Sequence, residues 1–270
     1  MSLRSKFLKG IILVAASVVG LGLLSANSVK AADWNNWNNW NNWNNWNNNY
    51  GSNWKYEKLD TSWIDRSRPM IAFAFDDGPV SSQNGTTGMR IIYTLQQYRQ
   101  HATFFYWGNR INDSNKDEVG YANYVGCEIG NHTWTHTDMT TLNPNQINNE
   151  IEQCRAKLQQ ITGLKSFLVR PPYLATNDMV KNTVNVPMIT CSRDTQDWNN
   201  ASTDQIANTL RNAQDGDILL MHETYDTTAA AVERVVPELV NRGYQIVSVS
   251  ELAAVKGINL QKGQVYSSLR

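Results

Sequence analysis

The sequence predicts an α/β fold in which about seven parallel strands close a barrel or form an open sheet. Two observations carry this. From Pro69 onward, apolar runs of four to six residues alternate with longer stretches of helical character. The residues best suited to chemistry follow directly after those runs, as in folds whose sites gather at the C-terminal ends of parallel strands.

In order, strands are expected at MIAFAF (70–75), ATFFYW (102–107), CEIG (127–130), SFLV (166–169), PMITC (187–191), DILLM (217–221) and YQIVSV (244–249). Met89, Ile92, Leu95 and Tyr98 share one side of a helix over 87–99. The stretch 109–125 has no clear period. Asn143 and Pro144 are an N-cap and first helical residue. The apolar face that follows them is Ile147, Ile151, Cys154, Leu158 and Ile161. A last helix covers 227–241, where Pro237 must either kink it or begin it.

The first 64 residues are of another kind. Arg4, Lys6 and Lys9 precede GIILVAASVVGLGLLSA, and VKAAD then places small residues at Val29 and Ala31. That is the pattern of a secretory signal peptide over 1–31, cut after Ala31, and it implies an extracellular protein. An uncleaved anchor is the weaker reading, because the uninterrupted apolar stretch is short of the roughly 20 residues a span needs. Residues 32–64 begin with a low-complexity tail in which Trp34, Trp37, Trp40, Trp43 and Trp46 are separated by Asn pairs. A period of three would align the indoles along one edge of a polyproline II helix. Two readings stand: a disordered spacer, or a tail that stacks on sugars of a cell wall. Either way the folded domain is expected over 65–270.

The chain has 270 residues, 41% of them hydrophobic, and a formal net charge of zero. A neutral chain argues against nucleic acid as partner, and nothing in it implies a protein partner. Cys127, Cys154 and Cys191 are odd in number and lack CxxC spacing. Buried free thiols are expected, with one disulfide as the alternative.

The strand ends carry the functional reading. MIAFAF runs into Asp76 and Asp77, adjacent carboxylates that repel each other and that a regular strand would point to opposite faces. A plain strand followed by a Gly78–Pro79 turn would account for them. So would a split role, one carboxylate for a metal and one for a proton. CEIG is followed by His132 and His136, whose i, i+4 spacing brings both imidazoles to one side of a helical turn. With one carboxylate they would complete the three-ligand set of a catalytic zinc site. Arg170 and Tyr173 follow SFLV; Asp194, Asp197 and Trp198 follow PMITC; His222 and Glu223 end DILLM. Three of the four histidines thus lie at strand ends, while His101 precedes its strand and reads as structural.

The ordered set FDDGP (75–79), HTWTH (132–136), RPPY (170–173), DTQDW (194–198) and LLMH (219–222) resembles the five motifs of the polysaccharide deacetylases, the NodB homology domain of carbohydrate esterase family four. ATFF, EIGNHTWTH and VSVSEL flank them in the same way, and the resemblance covers roughly residues 69–255. It implies a distorted (β/α) barrel of about seven parallel strands and a metal-dependent N-deacetylase acting on N-acetylglucosamine polymers. Peptidoglycan or a chitin-like oligosaccharide would be the substrate, with O-deacetylation of acetylated xylan as the runner-up. It further implies that Asp77, His132 and His136 bind one divalent metal ion, Zn2+ in the first instance, with Co2+, Ni2+ or Mn2+ as substitutes. Asp76 would be the general base and His222 the general acid. Arg170 would orient Asp76, and Asp197 would tune His222. The backbone N–H of Tyr173 would hold the oxyanion, and Trp198 and Leu220 would wall the acetyl pocket. One departure is Arg193, a charge expected to alter the substrate groove.

Two other classes compete. A non-haem iron oxygenase also uses two histidines and a carboxylate, but leaves Asp76 and His222 without a role. A sugar-binding wall protein centred on the tryptophan tail would leave all five motifs unused.

Overall fold

In order along the chain, the strands are β1 (Met70–Gly78), β2 (Thr103–Tyr106), β3 (Glu128–Asn131), β4 (Met188–Ile189), β5 (Arg193–Asp194), β6 (Ile218–His222), β7 (Gln245–Val247) and β8 (Val265–Tyr266). The structure is a computed structural model that describes residues 56–80 and 87–270. β1 is the axis of the sheet. It pairs in parallel with β6 on one side. On the other it pairs with β7 at its start and β2 towards its end. β3 extends the sheet beyond β2, and β5 extends it beyond β6. Val169 bridges Asn131 to Met188, so the segment 188–194 links both ends of the sheet into a distorted barrel.

The departures from expectation have backbone causes. SFLV contributes only the single residue Val169 to the ring. Pro171 and Pro172 follow at once and have no N–H to continue a ladder. YQIVSV stops pairing at Val247 because Ser248 caps a helix, its side chain accepting from Glu251 N–H. The two-residue strands β5 and β8 carry no hydrophobic run of their own, and the sequence does not announce them.

Seven helices cover the barrel: α1 (Thr87–Gln97), α2 (Lys116–Tyr124), α3 (Pro144–Thr162), α4 (Asp178–Thr183), α5 (Thr203–Arg211), α6 (Asp226–Asn241) and α7 (Val249–Val255) among the described residues. α2 lies in the stretch without clear period. α3 begins as expected, with Asn143 and Gln146 forming a capping box, and Gly163 ends it at φ 74°. Pro237 lies inside α6 and does not begin it.

Alternation along β1 divides the core. Ile71, Phe73 and Phe75 join the main cluster with α1, α3 and α6. Met70, Ala72 and Ala74 join Phe105, Leu168, Ile189 and Ile218 in a second one. This parity gives Asp76 the side of Ala72 and Ala74. The folded body also starts earlier than residue 65. Tyr56 is buried in the main core, where its hydroxyl accepts from Ile129 N–H at 3.3 Å. Trp63 Nε1 donates to Glu251 Oε1 at 3.0 Å, and His101 Nδ1 lies 2.7 Å from the same oxygen, so His101 is part of the scaffold. All three cysteines are free thiols. The expected signal peptide and the Trp/Asn repeat lie outside the described residues. Among those described, no helix is long and apolar enough to cross a membrane.

Candidate metal and catalytic site

The adjacent carboxylates of FDDGP reach one cavity through a bulge. Asp76 pairs with Phe105 and Gly78 with Tyr106, so Asp77 is the extra residue. Its φ of 69° is left-handed. Strict alternation would send Asp77 away from Asp76; the bulge turns it back. Arg110 Nη1 donates to the Asp77 carbonyl at 2.8 Å and braces the turn.

The histidine pair converges by a different route from the one its spacing suggests. Residues 132–136 are not helical. Thr133 and His136 take φ of 66° and 60°, folding the loop tightly. Glu150 on α3 anchors it, accepting from Trp134 N–H at 3.0 Å, Thr135 N–H at 2.7 Å and the Thr135 hydroxyl at 2.8 Å. The i, i+4 spacing is real, but a loop held by a buried carboxylate does what a helix was expected to do.

Three ligand atoms meet as a result. Asp77 Oδ1 lies 3.5 Å from His132 Nε2 and 3.4 Å from His136 Nε2, and the two nitrogens are 3.1 Å apart. His132 Nδ1 is 2.8 Å from the Arg170 carbonyl. A carbonyl only accepts, so the proton of neutral His132 sits on Nδ1 and its Nε2 lone pair faces the cavity. Burial pushes His132 down to about 3 and lowers His136 as well, which keeps both rings neutral near pH 7. Asp77 Oδ1 is buried and meets no hydrogen-bond donor among the described residues. Two imidazoles and one orphaned carboxylate oxygen suit a divalent cation of zinc type.

The neighbouring titratable groups are pinned by hydrogen bonds. Asp76 Oδ1 accepts from Arg170 Nη1 at 2.8 Å, and Asp76 Oδ2 lies 3.7 Å from His132 Nε2. Arg170 is fully buried, with Nε donating to the Ile189 carbonyl at 3.2 Å and Nη2 to the Thr190 carbonyl at 2.9 Å. Burial raises Asp76, against the opposing charge of Arg170. His222 Nδ1 lies 2.7 Å from Asp197 Oδ1, and Asp197 Oδ2 accepts from His222 N–H at 2.6 Å and the Thr228 hydroxyl at 2.7 Å. Burial alone would lower His222. The hydrogen bond to Asp197 and the charges of Asp76, Asp197 and Asp77 outweigh it and raise His222 to about 8.

These groups line a cavity of about 370 Å³ together with Tyr173, Trp198 and Leu220. Arg170 and Asp197 stand behind it. Trp198 is 53% exposed, so it walls the opening instead of filling the core, and its Nε1 donates to Asp194 Oδ2 at 3.2 Å. Tyr173 has φ of 58° and a largely exposed ring that meets His136 edge-on at 4.9 Å. Arg193 does not line this cavity: its Nε lies 2.5 Å from buried Asp217 Oδ2, a partner far along the sequence that the motif pattern could not reveal. Sequence reasoning gave no role to Glu150, Leu174 or Tyr225. The last two line the cavity. Glu150 sits on the buried side of α3 as a lone charged residue, which is the signal that could have found it.

The fold and site fit a hydrolase of the carbohydrate esterase type, and comparison with known proteins shows the same family resemblance. The profile of the polysaccharide deacetylase family matches residues 64–188. A peptidoglycan-N-acetylglucosamine deacetylase of Bacillus cereus is 32% identical, covering 72% of this chain and 92% of that protein. A bifunctional xylanase/deacetylase of Pseudobutyrivibrio xylanivorans is 33% identical over 72% of this chain, which spans only 32% of that protein's length. The solved structure of a family 4 acetyl xylan esterase from Clostridium thermocellum, in complex with a cobalt ion, superposes with a TM-score of 0.68. It is 30% identical, with 74% of this chain and 98% of that one covered. The chain therefore belongs to the polysaccharide deacetylase family.

Proposed function

We propose that this chain is a secreted, metal-dependent hydrolase that removes N-acetyl groups from N-acetylglucosamine residues of a wall polysaccharide, peptidoglycan foremost. The observation that carries the reading is the gathering of a three-atom ligand set, a buried carboxylate pinned by arginine and a raised-pKa histidine in one cavity. The leader over 1–31 supports secretion, and the peptidoglycan deacetylase of Bacillus cereus supports the substrate. The Trp/Asn tail would hold the enzyme to the wall.

An acetamide is a poor electrophile with a poor leaving group. When bound by Asp77, His132 and His136, a divalent cation such as zinc supplies Lewis acidity for carbonyl and water, whose pKa it can bring to about 7. Asp76 is the base: Arg170 fixes its orientation, and burial makes it a stronger proton acceptor than an ordinary aspartate. It takes the proton of the attacking water. The N–H of Tyr173, at the rim, meets the oxyanion that develops on the acetyl carbonyl oxygen. His222, kept protonated by Asp197, gives its proton to the departing nitrogen. Trp198 and Leu220 enclose the acetyl methyl. Acetate and a free sugar amine result.

O-Deacetylation is the second reading, favoured by the two xylan-related proteins in the comparison. Acetate release from N-acetylglucosamine oligomers and from acetylated xylan separates the two. Release from the oligomers alone supports N-deacetylation, and release from xylan alone overturns it.

A further inference from the structure

Two buried carboxyls lie under the catalytic turn with no role in the reaction. Glu223 follows His222 and is 1% exposed; Glu118 on α2 is 6% exposed. Neither oxygen of Glu223 meets an N–H or hydroxyl donor among the described residues. Its first charged neighbour is the carboxyl of Glu118. Glu118 Oε1 also accepts a long bond from Val80 N–H, at 3.4 Å. Glycines make the room. A Cβ on Gly78 would fall 1.3 Å from Glu223 Oε1, and one on Gly88 would fall 2.7 Å from the Glu118 carboxyl. Gly78 belongs to FDDGP, so the pair bears on the backbone that carries Asp77.

Two neighbouring buried carboxylates resist being ionised together without a cation. The groups that face Glu223 are Glu118 on α2 and Asp76 and Asp77 on β1, all acidic, and the uncharged Tyr106 hydroxyl on β2. We propose that Glu223 and Glu118 share one proton, as acid and carboxylate, and that this hydrogen bond positions the Asp77–Val80 turn for metal binding. The proposal rests on the deacetylase reading of that site and deepens it. Glu223 is the donor and Glu118 the acceptor. Burial supports this by raising both, Glu118 to about 7 and Glu223, further repelled by Glu118, well above the ordinary range. The proton is bound more tightly in the folded state than in the unfolded one. The pair's stabilisation is therefore present at low pH and lost as pH rises through the folded-state values.

The test compares Glu223→Gln, Glu223→Ala and Asp77→Ala in the full chain. Zinc affinity is read by competition with a chromogenic chelator, and Tm is followed from about pH 6 to about pH 9 in metal-free protein. A glutamine amide at 223 donates to Glu118 permanently and has no proton to lose. Glu223→Gln should keep zinc affinity within about threefold of the parent, while Glu223→Ala should lose about tenfold or more. The alkaline fall in Tm should be at least halved in Glu223→Gln, leaving the part due to His222. Equal damage from Gln and Ala, or an unchanged pH slope in Glu223→Gln, overturns the shared proton. If Glu223→Ala fails to fold, the pH slope of Glu223→Gln decides alone. Undiminished zinc binding in Asp77→Ala would instead overturn the reading of the metal site itself.

Discussion

The substitution Asp197→Asn probes the acid half of the mechanism. Moving His222 from an ordinary 6.5 to about 8 corresponds to about 2 kcal/mol of preference for its protonated form. At about pH 7 this keeps roughly nine-tenths of the rings charged. Without the Asp197 charge, burial becomes the dominant influence, and His222 should titrate at its ordinary value or below. At most about a quarter of the rings would then be charged at about pH 7. An asparagine also cannot accept all four hydrogen bonds that converge on Asp197 from His222 N–H, His222 Nδ1, Trp198 N–H and the Thr228 hydroxyl. Orientation suffers with charge, and the combined loss of kcat at about pH 7 should be about 10- to 100-fold. The assay is the pH profile of kcat/KM beside the NMR titration of His222 in metal-free protein. The alkaline limb should move down by about 1.5 in pH or more. The sign carries over to stability. A histidine whose folded pKa is raised stabilises fully below about 6.5 and loses that contribution as pH rises through about 8. Through His222, metal-free parent protein should therefore lose about 2 kcal/mol across that window, and Asp197→Asn should keep only the loss carried by Glu223 and Glu118. An unmoved limb, with His222 titrating as in the parent, would falsify the assignment of Asp197 as its partner.

Glu150→Ala should strip the acceptor from two backbone N–H groups of the histidine loop and weaken zinc binding about 10- to 100-fold. Unchanged affinity, measured by the same chelator competition, would mean that the loop holds itself. Tyr56→Ala should cost about 3–5 kcal/mol in urea unfolding, because the ring lies in the main core and its hydroxyl serves Ile129 N–H. A cost below about 1 kcal/mol would return the start of the folded body to residue 65.

Much of the fold was legible because alternation and helical period act locally. MIAFAF, ATFFYW, CEIG and DILLM all lie on sheet strands, and Asn143–Pro144 opens α3 as its capping chemistry requires. What local pattern could not show was backbone irregularity. The prolines after SFLV cut its pairing to Val169, and the capping of Ser248 ended the last strand early. The site divides along the same line. The residue types at the strand ends were readable, but the means of bringing them together were not. A bulge at Asp77 and a loop with two left-handed residues carry out the convergence, and neither leaves a period in the sequence. Long-range partners were equally hidden: Glu150 beneath the histidine loop, Asp217 on Arg193, and Glu118 against Glu223 lie far apart in the chain.

The role split between the two aspartates is the centre of the account, and Asp76→Asn tests it most directly. Acetate release from N-acetylglucosamine oligomers is measured for the parent with and without chelator and for the variant, with bound zinc counted in each. The parent should release acetate until chelated. Asp76→Asn should retain one zinc ion, because the proposed ligands Asp77, His132 and His136 are untouched, and should lose about 10²- to 10⁴-fold in rate. Loss of the metal in that variant, or acetate release that survives both chelation and the substitution, would contradict it.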